Sequence, residues 1–174
     1  MLKMFSTQLT GLFKRIQENE EFAMEDSARL LAQAAVGDGN IYIFATNEMN
    51  AVAYEATEGQ EPLKNAAVWS IDHPIEGLSE TDRFLIVSSN SNDEEAVKMG
   101  EILSENGIPF VAISTVQEGH GLADLADVHL DLKLKKGLLP DDDGNRFGFP
   151  TSIAALFVYY GIKFTLEEIL EEYE

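Results

Sequence analysis

Apolar residues Leu2, Phe5, Leu9, Leu12, Phe13 and Ile16 recur at steps of three and four, the spacing of one buried face of a helix running to about Glu18. A second helix is predicted from Phe22 to Val36, and Gly37-Asp38-Gly39 follows it as a left-handed stop that glycine adopts at little cost. The period then changes. Asn40-Ile41-Tyr42-Ile43-Phe44-Ala45 is a short, continuous, β-rich apolar run, the pattern of a strand buried on both faces. A helix from Asn47 to Thr57 ends near Gly59, a strand follows at Ala66 to Ser70, and Pro62 and Pro74 mark loops.

Arg83 to Ser88 is the next buried strand; it leads through the polar turn Ser89-Asn90-Ser91-Asn92-Asp93 into a helix from Glu94 to Glu105. Asn106-Gly107 closes that helix, and two further strands are predicted at Ile108 to Ile113 and Val128 to Leu134. Strands that alternate with single helices must pair in parallel, because a right-handed crossover returns the chain to the same end of the sheet. The prediction is an α/β fold: a doubly wound five-stranded parallel sheet with two leading N-terminal helices. After an acidic turn at Asp141-Asp142-Asp143-Gly144, a helix over Ser152 to Tyr160 is apolar nearly all round, and Leu166 to Glu174 forms an acidic terminal helix.

A chain of 174 residues fits a single domain, taken here as residues 1–174. With 31 acidic against 12 basic residues the formal charge is −19, which opposes binding to nucleic acid or an anionic membrane surface. The same field repels small anions, so a phosphate site in this chain must rely on local, oriented donors. Cysteine is absent, which removes disulfides, thiolate metal sites and thiol nucleophiles and suits a reducing compartment. No run reaches membrane-span length and no signal-peptide pattern opens the sequence, so a cytoplasmic location is expected.

Ligands of open α/β sheets collect beyond the carboxyl ends of the strands. Three loops there carry suitable chemistry: Thr46 to Asn50, Ser88 to Asp93, and Ser114 to His120. The second offers three serines and two asparagines between a buried strand and a helix, a set of hydroxyl, amide and backbone donors suited to phosphate. The plainer reading of those residues is helix capping, with Ser91 as N-cap and Glu94 closing a capping box.

Val87 to Leu132 resembles the core of the SIS (sugar isomerase) family of phosphosugar-binding domains. The family pattern Ser-x-Ser-Gly-x-Thr/Ser aligns without gaps on Ser88-Ser89-Asn90-Ser91-Asn92-Asp93, with Asn90 for its second serine, Ser91 for its glycine and Asp93 for its Thr/Ser, followed by Asn106-Gly107-Ile108 and Ile113-Ser114-Thr115. A later signature is matched by Leu122-Ala123-Asp124-Leu125-Ala126-Asp127-Val128-His129-Leu130. Within the family the chain looks most similar to phosphoheptose isomerases. The resemblance implies a flavodoxin-like SIS fold and a sugar-phosphate ligand bound by Asn47, Ser88, Ser89, Asn90, Ser91, Asn92, Ser114 and Thr115.

Aldose–ketose isomerisation needs a carboxylate or imidazole that moves a proton between adjacent carbons, and Glu55 and His120 are the candidate catalytic pair. The metal ligands of phosphoheptose isomerases are not carried over: by alignment Glu55 and Gly59 stand at two of their positions, and no histidine follows His129. No metal and no cofactor are therefore expected. Asp93 stands at a phosphate-binding position of the family, Glu48 adds a charge to the first loop, and both favour an alternative, a catalytically inactive SIS scaffold that binds another small molecule or a protein partner. His73 and His129 read as structural. Asp141 to Asn145 lacks the full calcium-loop spacing and reads as a solvated turn. SIS domains commonly pair through helices such as the apolar run Ile153 to Tyr160, which implies a homodimer.

Overall fold

The computed structural model describes residues 1–174. Its centre is a sheet of five parallel strands, β1 (Ile41–Ala45), β2 (Ala66–Val68), β3 (Arg83–Asn90), β4 (Phe110–Thr115) and β5 (Val128–Asp131), in the order β2-β1-β3-β4-β5. This is the predicted doubly wound sheet. Alternate side chains of the central strands β1, β3 and β4 enter two separate cores, as the two-residue period of a strand requires. Ile41, Ile43, Leu85, Val87, Val111, Ile113 and Leu130 pack against helices α1 (Leu2–Val36), α2 (Asn50–Glu58) and α5 (Thr151–Glu171). On the opposite face Phe44, Phe84, Ile86, Phe110 and Ala112 meet Trp69, α3 (Glu94–Glu105) and α4 (Leu122–Leu125). Burial on both faces is why the strands read as continuous apolar runs.

The two predicted leading helices are one helix of 35 residues. The polar stretch Glu18-Asn19-Glu20-Glu21 contains neither glycine nor proline, so nothing in it breaks the backbone, and the buried stripe resumes beyond it at Met24, Ala28 and Leu31. The two predicted C-terminal helices are likewise one, Thr151–Glu171. Gly161 lies inside it for a packing reason: a Cβ there would stand 2.6 Å from Met24 Sδ, so the missing side chain lets α5 close on α1.

Strand ends shift by small amounts for local reasons. Pro109 delays the fourth strand, which begins at Phe110. Asp131 ends the fifth, since its carboxylate accepts the amides of Val116 at 3.1 Å and Lys133 at 2.9 Å, and Lys133 takes a left-handed φ of 59°. The acidic turn joins a small hairpin, β6 (Leu139–Pro140) with β7 (Arg146–Phe147). Its Asp141 carboxylate turns back on the loop to accept the amides of Asp143 and Asn145 at 3.0 and 2.7 Å. No helix is long and apolar enough to cross a membrane.

Candidate functional site

The strand order reverses between β1 and β3, where one neighbouring loop runs toward α2 and the other toward α3, opening a crevice above the carboxyl ends. A cavity of about 460 Å³ lies there, lined by Glu48, Ser89, Asn90, Gln117, Leu134, Lys135, Phe149 and Thr151. These residues come from the loop after β1, the end of β3, the loop after β4, the segment beyond β5 and the start of α5.

Glu48 joins three of those segments. It occupies a short helical turn over Asn47–Met49, and its carboxylate accepts hydrogen bonds from the Ser89 hydroxyl and, at 2.9 Å, from Thr151 Oγ1. Partial burial pushes the Glu48 carboxyl up, but hydrogen bonds from Ser89, from its own amide and from Thr151 outweigh this and leave it below the ordinary glutamate value. An ionised carboxylate therefore lines the cavity at neutral pH. A phosphate seated on Ser89 would face that charge; two unit charges 4 Å apart repel by about 1 kcal/mol in water and about 4 kcal/mol where the surface screens less.

The serine-rich loop is largely occupied with itself. A register shift of β3 against β4 falls between Val87 and Asn90, so the strand is irregular where its serines lie. Buried Ser88 donates to the Asn90 carbonyl at 2.8 Å, and buried Ser91 accepts the Gln117 amide at 2.8 Å. The Asn90 side-chain oxygen accepts from Gln117 Nε2 at 2.8 Å. The predicted Ser91–Glu94 capping box is not formed. Asp93 is the N-cap of α3 and accepts the Ala96 amide at 2.9 Å, because Ser91 has been drawn into the turn against Gln117.

The other residues singled out from the sequence are dispersed. Asn47 is exposed with a left-handed φ of 51°, its carbonyl accepting from Asn50, and Asn92 is exposed next to the cap. Ser114 is buried and within 2.6 Å of His129 Nε2; burial holds this imidazole below the ordinary histidine range, against the pull of Asp131. Buried Thr115 accepts the Leu134 amide at 3.3 Å. Glu55 accepts a hydrogen bond from Tyr160 of α5 at 2.5 Å, whereas His120 stands near Glu101 of α3 at 3.4 Å and Asp124 of α4 at 3.8 Å. Neither lines the cavity, and they engage different helices on opposite faces of the sheet.

Of the predicted binding residues only Ser89 and Asn90 line the cavity. Gln117, Lys135, Phe149 and Thr151 were not singled out by sequence. Gln117 lay in a loop already marked as polar, but nothing around Lys135 or Thr151 pointed to a strand-end crevice. Chemically, the set provides an ionised acceptor, hydroxyl and amide groups of both polarities, one ammonium and an aromatic wall, a lining suited to a polar ligand that carries an anion.

Comparison with known proteins gives both a family and a fold. The sequence model of the family described as "Domain of unknown function (DUF2529)" matches residues 1–170. Uncharacterized protein YwjG of Bacillus subtilis (strain 168) is 45% identical over 174 residues, 99% of each chain. Among solved structures, the sugar isomerase domain of an RpiR transcription factor from Sphaerobacter thermophilus superposes with a TM-score of 0.64 at 16% identity, covering 98% of this chain and 96% of that one. The NanR protein of Vibrio vulnificus, complexed with ManNAc-6P, gives a TM-score of 0.70 at 17% identity, covering 97% of this chain and 62% of that one. At these identities the likeness to the solved structures is one of fold.

Proposed function

This chain belongs to the DUF2529 family, and from its sugar-isomerase (SIS) fold we propose that it is a phosphosugar-binding protein of the cytoplasm, acting as one domain. The observation that carries the reading is the polar cavity at the strand reversal, where Glu48, Ser89, Asn90, Gln117, Lys135 and Thr151 converge from distant parts of the chain. NanR, of the same fold, was solved with ManNAc-6P, a ligand of this chemical class. The decisive experiment is thermal unfolding of the full chain with ManNAc-6P and with pentose, hexose and heptose phosphates, each beside its unphosphorylated sugar. At a hundred times its dissociation constant a ligand adds ~2.7 kcal/mol, a rise of roughly 5–10 °C for a domain of this size. A rise with a phosphosugar and none with the free sugar supports the reading; no rise across the panel sinks it.

A second reading, aldose–ketose isomerisation of the phosphoheptose kind, is favoured by one observation: Glu48 places an ionised carboxylate in the cavity, where a proton acceptor would stand. Glu55 and His120 would take part only by moving from their present contacts, which supports binding over catalysis as the leading function. Conversion of an aldose phosphate to its ketose, lost in Glu48→Gln, would establish the enzyme. We also propose a homodimer. Exposed Leu2, Met4 and Phe22 on α1 and Phe164 on α5 support it, and light scattering checks it.

A further inference from the structure

The lining of the cavity carries both signs of charge: Glu48, held by Ser89 and Thr151, and Lys135, the one cation among the lining residues. The chain has 31 acidic and 12 basic residues, and nearby Lys133 lies within 4 Å of two carboxylates, Glu20 and Asp131. Lys135 has no carboxylate within ion-pairing distance, although Glu48 lines the same cavity. Its backbone is nonetheless fixed, because the preceding residue, Leu134, is buried and donates its amide to Thr115 Oγ1 at 3.3 Å. An exposed ammonium on a fixed stretch of backbone, unneutralised in a strongly acidic protein, is available to an anion.

The serine loop offers much less. Ser88 and Ser91 are buried and bonded within the protein, Ser89 is bonded to Glu48, and Asp93 occupies the amide end of α3. We propose that Lys135 anchors the anionic group of the ligand and that Glu48 accepts its sugar hydroxyls. The phosphate then points toward the segment beyond β5 and the β6–β7 hairpin, away from the serine loop. Asn90 and Gln117, bonded to each other in the same lining, offer further groups to the sugar hydroxyls. This rests on the phosphosugar reading above and adds to it the orientation of the ligand and the residue that selects for phosphate.

Calorimetric titration of the full chain with ManNAc-6P and fructose 6-phosphate tests it, using Lys135→Ala, Lys135→Arg, Glu48→Gln and, as a control for net charge, Lys136→Ala. Losing a charge-assisted contact weakens binding about tenfold or more, so Lys135→Ala is expected to bind at least that much more weakly. Lys135→Arg restores most of the affinity, and Lys136→Ala stays within about twofold of wild type. Glu48→Gln gives the sign of the arrangement: with hydroxyls at Glu48 it weakens binding, and with phosphate on the serine loop it tightens binding by removing a repulsion. Wild-type binding that survives unchanged in Lys135→Ala, or that tightens in Glu48→Gln, overturns the orientation while leaving the phosphosugar reading standing. No binding of either sugar phosphate by the wild-type chain, together with no rise in Tm across the phosphosugar panel above, overturns both.

Discussion

The loop from Ser88 to Asp93 and the segment from Leu134 to Thr151 both border the same cavity, and they use their polar groups in opposite ways. In the first, Ser88, Ser91 and Asp93 bond within the loop, to Gln117 or to the amide end of α3. In the second, Lys135 is left without an ionic partner and Thr151 reaches across to Glu48. The loop that looks like a binding motif is mostly structure, and the unremarkable segment holds the free charge. Polar composition tells what a loop can bond to; only the bonds already made tell what remains for a ligand.

The sharpest way to break this contrast is to disturb the seat of each region. A Cβ at Gly121 would lie 2.4 Å from the Ser91 carbonyl, and one at Gly137 would lie 2.3 Å from the Phe147 carbonyl. Gly121→Ala and Gly137→Ala are each expected to cost about 3 kcal/mol, a fall in Tm of roughly 6–12 °C by calorimetry. A smaller effect separates structure from binding within the loop. Ser91→Ala leaves the Gln117 amide without its acceptor and should cost about 1–2 kcal/mol in urea unfolding. Asp93→Ala removes the cap of α3, at about 1 kcal/mol. Neither should abolish a ligand-induced rise in Tm, whereas Lys135→Ala should reduce that rise with little change in basal Tm.

The smallest effect concerns pH. Glu48 has its folded-state pKa below its unfolded value, so the stability it contributes is present above the unfolded pKa and is lost as pH falls through the folded one. Urea unfolding between pH 7 and pH 3 should therefore show Glu48→Gln less stable than wild type at neutral pH, with the gap closing under acid. The carboxylate is largely open to solvent, so the gap is small. A gap that is constant with pH would mean that the Ser89 and Thr151 contacts do not depend on the charge of Glu48.

Much of the fold was legible in particular residues. Glu94 to Glu105 was bounded by a capping turn and by Asn106-Gly107, and Gly107 takes the left-handed φ of 66° that such a stop requires. The runs at Ile41 to Ala45 and Arg83 to Ser88 announced strands buried on both faces. The single α1 was not legible because the polar stretch Glu18 to Glu21 looks like an end, and the single α5 because Gly161 reads as one, until the partner helix is known to pack alongside. Gly161 makes sense only beside Met24.

The sequence by itself determined the α/β alternation, the parallel sheet and the end of it at which polar loops gather, since these follow from periods of two and 3.6 residues and from the handedness of crossovers. Tertiary structure alone decided which polar groups face the cavity. The Glu48–Thr151 bond joins residues 103 apart in sequence and the Glu48–Ser89 bond residues 41 apart, separations across which no local pattern carries information. Strand order sets those neighbours: β1 and β3 lie side by side, and α5 returns over the sheet to start above them. Whether a serine is a ligand donor or a structural brace depends on that return.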